Sequence, residues 1–178
     1  MRLRYARPIL PVNNHHYPNV SNVLLDIYRL LAIFMATEAI CELEVPQSYG
    51  NDPLQEFDDF KSDEITRILL TVAATVRVID DRESRLFDLV SLDCGSLTPD
   101  AANPGESIGL TIREACNKIL HARQIDFDRI PAANGRSFLQ SKIRLTGDYR
   151  RQAWHASLDV VQFCRECTSI LRLIMRKT

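Results

Sequence analysis

Four segments of this chain repeat their apolar residues at intervals of three and four, and no other feature constrains the fold as strongly. In the first, Leu24, Ile27, Leu31, Phe34 and Met35 recur behind Ser21, a residue type suited to cap a helix. The spacing predicts a helix over 21–43. In the second, Leu69, Val72, Val76 and Ile79 extend a stripe begun by Ile65 and predict a helix from 62 to 81. Ser62 is its expected cap, and Asp63 and Glu64 suit the positive end of the helix dipole. Ile112, Ala115, Cys116, Ile119 and Leu120 predict a third helix over 108–122, and Val160, Phe163, Cys164, Cys167, Leu171 and Ile174 a fourth over 160–175. Each stripe must be buried against something. An antiparallel bundle of the four is the economical arrangement.

Between the third and fourth segments the period shortens to two. Ile125 and Phe127 alternate with polar neighbours, and Trp154, Ala156, Leu158 and Val160 alternate with His155, Ser157 and Asp159. "FLQSKIRLTG" and "QAWHASLDV" read as two strands around the polar turn "TGDYRR". The expected fold is therefore mainly α: a four-helix antiparallel bundle with a small β-hairpin inserted before the last helix, at 138–160. Residues 1–20, with Pro8, Pro11, Pro18 and the pair Asn13-Asn14, read as an extended N-terminal arm. Residues 21–178 read as a single helical domain. Residues 92–107 read as a long polar loop, a length that is often functional in a compact domain.

A chain of 178 residues that is 46% hydrophobic can bury a core of its own. No apolar run approaches the roughly 18 residues a membrane span needs, so no membrane partner is expected. The basic N-terminus has only a short apolar stretch, broken by Pro8 and Pro11, which does not fit an export signal. A cytoplasmic location is the expectation. The cysteines number 5, an odd count that favours free thiols over a disulfide framework. Cys164 and Cys167 form a CxxC without a second such pair, so both are expected as core thiols, with no metal and no cofactor.

The net charge of −1 conceals an asymmetry. Residues 1–108 hold 9 Lys/Arg and 17 Asp/Glu, whereas residues 109–178 hold 13 and 6. The two segments can neutralise each other within the fold or between subunits. Alternatively, the basic segment can face phosphates.

The third helix carries the residues of greatest chemical interest. Arg113, Asn117 and His121 recur at intervals of four, so they drift only about 40° per step and form one polar ridge beside the apolar face. His121 could serve as acid or base near neutral pH. Arg113 could hold a phosphate's charge, and Asn117 could orient the ligand or the imidazole. The same ridge also has a plain explanation, in which Arg113 pairs with an acidic residue of the first half and His121 favours the helix C-terminus. Elsewhere, Trp154 is expected to anchor the hairpin in the core, Asp58-Asp59 and Asp80-Asp81 to be helix-end charges, and His15-His16 to decorate the surface.

Four helices, with Cys116-Asn117-Lys118-Ile119-Leu120-His121 on a late one, resemble the HEPN superfamily. Its ribonuclease members carry an Arg, frequently followed by Asn, and then a His after a short gap. Asn117 and His121 stand at the matching offset, Cys116 occupies the place of the family Arg, and Arg113 lies one turn earlier. The resemblance implies a helical homodimer whose site forms in a cleft between two motif helices. With a degenerate motif, it implies a non-catalytic module binding a partner protein or a nucleic acid such as RNA. The alternative it implies is a metal-independent endoribonuclease using His121 and Arg113, with Asn117 beside them.

Overall fold

The computed structural model describes residues 19–43, 56–82, 92–105 and 107–175, with side chains from residue 60 onward in the second of these stretches. The expected N-terminal arm and the pair His15-His16 lie outside the described residues. Helix α1 spans Val20–Glu42 and α2 spans Glu56–Arg82. Strands β1 (Gly95–Thr98) and β2 (Ile108–Gly109) follow, then α3 (Ile112–His121). Strands β3 (Gln124–Pro131), β4 (Ser137–Tyr149) and β5 (Gln152–Asp159) lead into α4 (Val160–Met175).

All four expected helices are present, the first three with shifted starts. Asn19, not Ser21, caps α1: its side-chain oxygen accepts from Ser21 N at 3.0 Å and Asn22 N at 3.3 Å. Helix α2 begins before Ser62, whose carbonyl accepts from Thr66 Oγ1 at 2.8 Å inside the helix. Thr111 caps α3 by accepting from Glu114 N at 3.3 Å, because residues 108–109 are held in a strand.

The strands overturn the expected fold class. The chain is not a mainly α four-helix bundle with a small inserted hairpin, because β4 and β5 are the inner strands of a five-stranded antiparallel sheet ordered β2-β1-β5-β4-β3. Residues 92–107, expected as a loop, supply β1, and β1 pairs along β5. The hairpin is also longer and its turn tighter than expected. Thr146, Gly147, Asp148 and Tyr149 pair with His155, Trp154, Ala153 and Gln152, leaving only Arg150 and Arg151 as the turn. Both turn residues have positive φ, 51° and 69°, the backbone of a two-residue turn that follows the sheet's right-handed twist.

Pairing aligns side chains in rows across the sheet. Leu97, Ala156, Leu145 and Ile125 form one row, and Leu158, Ile143 and Phe127 lie in the next row on the same face. The row between them, Ser96, Ser157, Arg144 and Asp126, points the other way and is polar. Helices α1, α3 and α4 cover the apolar face, while α2 packs on α1 and α3. The sheet therefore supplies the apolar wall against which the helical stripes close, and the helices need not bury their stripes solely on one another. One continuous core results, including Leu30, Ile68, Leu110, Ile119, Ile143, Leu158 and Phe163. Trp154 lies in it at 3% exposure, as expected, and Cys164 and Cys167 are fully buried.

Helix α1 departs from the one-sided pattern. Val23, Ile27, Leu30, Phe34 and Cys41 face inward, yet Leu25, Tyr28 and Met35 on the opposite side are 46%, 68% and 61% exposed. Ala32 and Ala39 lie on this outward side as well.

Candidate functional site on helix α3

The apolar side of α3, formed by Ile112, Ala115, Cys116 and Ile119, is buried. The polar ridge runs along the border of that buried side, where the sequence spacing puts it. Its three members nevertheless meet three separate environments.

Arg113 reaches back to the C-terminal end of α2. Its guanidinium donates to the Asp80 carboxylate and, at 2.8 Å, to Asp81 Oδ1. The Asp80 side chain is 1% exposed and that of Arg113 15%, so this pair is largely shielded from water. Arg77, one turn back on α2, lies 3.8 Å from Asp80 and 3.7 Å from Asp81. Asp80, Arg113 and Arg77 are thus shielded between α2 and α3, while Asp81 closes the group from the exposed side. Burial works against the charge on Arg113, yet the hydrogen bonds to Asp81 and Asp80 outweigh it and raise the guanidinium's pKa. Arg77 Nη1 is buried without a hydrogen-bond partner among the described residues, and the neighbouring carboxylates compensate it by charge alone.

Asn117 donates to Glu114 Oε2 at 3.1 Å, and Lys118 Nζ lies 3.2 Å from Glu114 Oε1. One carboxylate therefore holds both side chains at helical spacing. The Lys118 ammonium also sits 4.5 Å from the Trp154 ring centroid, a cation over an aromatic face.

His121 is the last residue of α3 and is exposed. Its carbonyl closes on β4 at Gly147, where an added Cβ would come within 3.0 Å of the His121 oxygen and 2.4 Å of Trp154 Cζ2. Glycine is required there because the helix end and the indole occupy the space of a side chain. Eight residues of helix separate Arg113 from His121 by about 12 Å along the axis. With Arg113 drawn toward α2 and His121 placed over β4, the two do not converge within one chain.

Cys116, in the place of the resembled family's Arg, is fully buried. Burial pushes its thiol well above the ordinary range, with the nearby Cys94 charge acting in the same direction. Such a thiol is neither a nucleophile nor a phosphate ligand at neutral pH. Cys94 and Cys164 are both pushed up to about 12, chiefly by burial, and Cys167 is raised by the same cause.

The plain expectation for Arg113, a pair with an acidic residue of the first half, is met by Asp80 and Asp81, which the sequence suggests only as helix-end charges. The signal was present in the acidic first half and basic second half, which meet here as Asp80, Asp81 and Arg113. A second polar concavity was missed. Asp93, Ser96, Lys142, Ser157, Asp159 and Gln162 line an open cleft of about 350 Å³ where β1 and β5 meet the start of α4. Only strand pairing brings these residues together, since Ser96 is opposite Ser157 and Lys142 opposite Asp159.

Among the described residues no group of His, Cys, Asp and Glu has a metal-binding arrangement, and no helix is long and apolar enough to cross a membrane. Comparison with protein-family models, curated proteins and solved structures finds no match to this chain.

Proposed function

We propose that this chain is a non-catalytic interaction module that docks a protein along the outward face of α1. The observation that carries this reading is the exposed apolar series Leu25, Tyr28, Ala32, Met35 and Ala39 on a helix whose inner face is already committed to the core. Side chains as large as Tyr28 and Met35 at 68% and 61% exposure are a cost in water that a docked partner removes. A five-residue stripe without a cation on its crest favours a protein partner over RNA, whose backbone is bound mainly through Lys and Arg. The free thiols of the described cysteines suit a reducing compartment such as the cytoplasm.

The endoribonuclease alternative is weakened by the state of Arg113. A guanidinium engaged by Asp80 and Asp81 has its charge answered before any phosphate arrives. The HEPN resemblance rests on Asn117 and His121. Of these, Asn117 is engaged by Glu114, and His121 lies about 12 Å along the helix axis from Arg113.

Two measurements test the reading. Labelled single-stranded and structured RNA incubated with the purified protein should remain intact; cleavage lost in His121→Ala would overturn the non-catalytic role. A photo-crosslinking residue in place of Tyr28, activated in cells, should join the chain to protein. Crosslinks to RNA alone, or none, would overturn the docking face.

A further inference from the structure

The outward side of α1 has the spacing of a coiled-coil seam. Residues 25, 28, 32, 35 and 39 alternate steps of three and four, which keeps them on one line along the 23-residue helix. Tyr28 and Met35 are large, while Ala32 and Ala39 are small. A parallel copy would stack Tyr28 on Tyr28 and leave a gap at each alanine. An antiparallel copy does the opposite. With residue numbers facing one another across a two-fold axis between 33 and 34, Tyr28 meets the partner's Ala39 and Met35 meets the partner's Ala32. Each bulky side chain then fills the space beside a small one, and the same contacts repeat on the other side of the axis, as an isologous interface demands.

Charge favours the same direction. The outer part of α1 carries Glu38 and Glu42 in its C-terminal half, and no basic residue occupies its last turn, whereas Arg29 in the N-terminal half is ion-paired with Asp26 at 3.4 Å. Parallel pairing would bring the two acidic ends together. Antiparallel pairing keeps the two acidic ends apart by the length of the seam, and it also opposes the two helix dipoles. Leu25 then lies along the methylene stem of the partner's Glu42.

We infer that the occupant of the α1 face is a second copy of this chain, paired antiparallel along α1 with Tyr28 against the partner's Ala39 and Met35 against the partner's Ala32. This inference rests on the docking role proposed above and names its partner. The pairing buries α1 on both sides, which accounts for a helix whose apolar residues are not confined to one stripe.

The inference is tested with the purified full-length chain. Sedimentation equilibrium should show a concentration-dependent dimer. Ala32→Arg should weaken it by more than about tenfold, since the two-fold axis introduces the substitution twice at the centre of the seam. Its far-UV circular dichroism and melting temperature should remain those of the parent, because position 32 faces outward. Met35→Glu should behave alike. Mild oxidation of a mixture of Tyr28→Cys and Ala39→Cys chains should yield mainly the mixed disulfide dimer. A parent that stays monomeric at its highest soluble concentration would overturn the inference, as would a dimer indifferent to both charge substitutions. Dominant self-pairing of Tyr28→Cys would also overturn it, because it reports a parallel seam. A monomer that still crosslinks to another protein through position 28 would overturn the second copy as occupant while leaving the docking role in place.

Discussion

Helices α1 and α3 differ in what their outer residues have found within the chain. On α3 two of the three ridge residues are already answered: Arg113 by Asp80 and Asp81, and Asn117 by Glu114, which also holds Lys118. On α1 the outward row opposite the core is apolar, and its Leu25, Tyr28 and Met35 remain about half exposed or more. The ridge draws the eye because Arg, Asn and His are the residues of catalysis. Buried charges must nevertheless be paired, so a polar row beside a core is often structural. An apolar row in water has no such internal solution. The comparison teaches that a side chain's unmet need is a better guide to a functional surface than its chemical type.

The largest expected effect lies beneath α3, where Cys94, Cys116, Cys164 and Cys167 are buried and all have raised pKa values. A thiol with a raised folded-state pKa contributes no pH dependence below its unfolded value, near 9, and destabilises the fold as pH rises from there toward its folded value, about 12 for Cys94 and Cys164. The four buried thiols act in the same direction, so their losses reinforce one another as pH rises. Denaturant midpoints should therefore fall steeply above pH 9, and Cys164→Ala should flatten that fall. A flat alkaline profile would show that the thiols ionise without unfolding and that the interior under α3 is open to water.

Asp80→Ala should cost about 3 kcal/mol, because it leaves Arg113 and Arg77 enclosed with a single carboxylate. Replacing Asp80 and Arg113 together by leucine should cost less than Asp80→Ala, since no uncompensated charge remains. Chemical denaturation of both variants measures this. An Asp80→Ala loss below about 0.5 kcal/mol, the level of an ordinary surface site, would mean that Arg113 is free to serve another role.

His121→Ala should cost less than about 1 kcal/mol, because the imidazole is exposed at the end of its helix. A larger loss in a thermal melt would show a buried partner for it. The smallest effect on folding belongs to α1: Met35→Lys should change stability by less than about 0.5 kcal/mol while impairing association. A strongly destabilised Met35→Lys chain would place the outward face of α1 inside the fold of the single chain, and the contrast between the two helices would vanish.

The helical half of the fold was legible because helix stripes are local. Ile65, Leu69, Val72, Val76 and Ile79 mark α2 by spacing alone, and the last helix occupies 160–175 as its pattern indicates. Caps were less legible, since Asn19 and Ser21 are chemically interchangeable as caps until the preceding backbone is placed. The sheet was hardest to read. Gly95–Thr98 and Ile108–Gly109 are too short to show alternation and become strands only because β5 offers a free edge and β1 in turn offers one to β2. The ridge was legible as a row of residues, and an acidic partner for Arg113 from the first half was expected, whereas which residues would supply it was not.

The sequence by itself determined the four helices, the alternation of the β4–β5 hairpin, and the burial of Trp154, Cys164 and Cys167. These properties depend on residues a few positions apart, so they survive without knowledge of the fold. Tertiary structure alone decided that the hairpin became the middle of a five-stranded sheet, that Arg113 turned to Asp80 and Asp81 and not toward His121, and that α1 kept an apolar face outward. The physical reason is the same in each case. Strand pairing, ion pairing and coverage of a helix face join residues far apart along the chain, and which of them meet is fixed by the packing of the whole core.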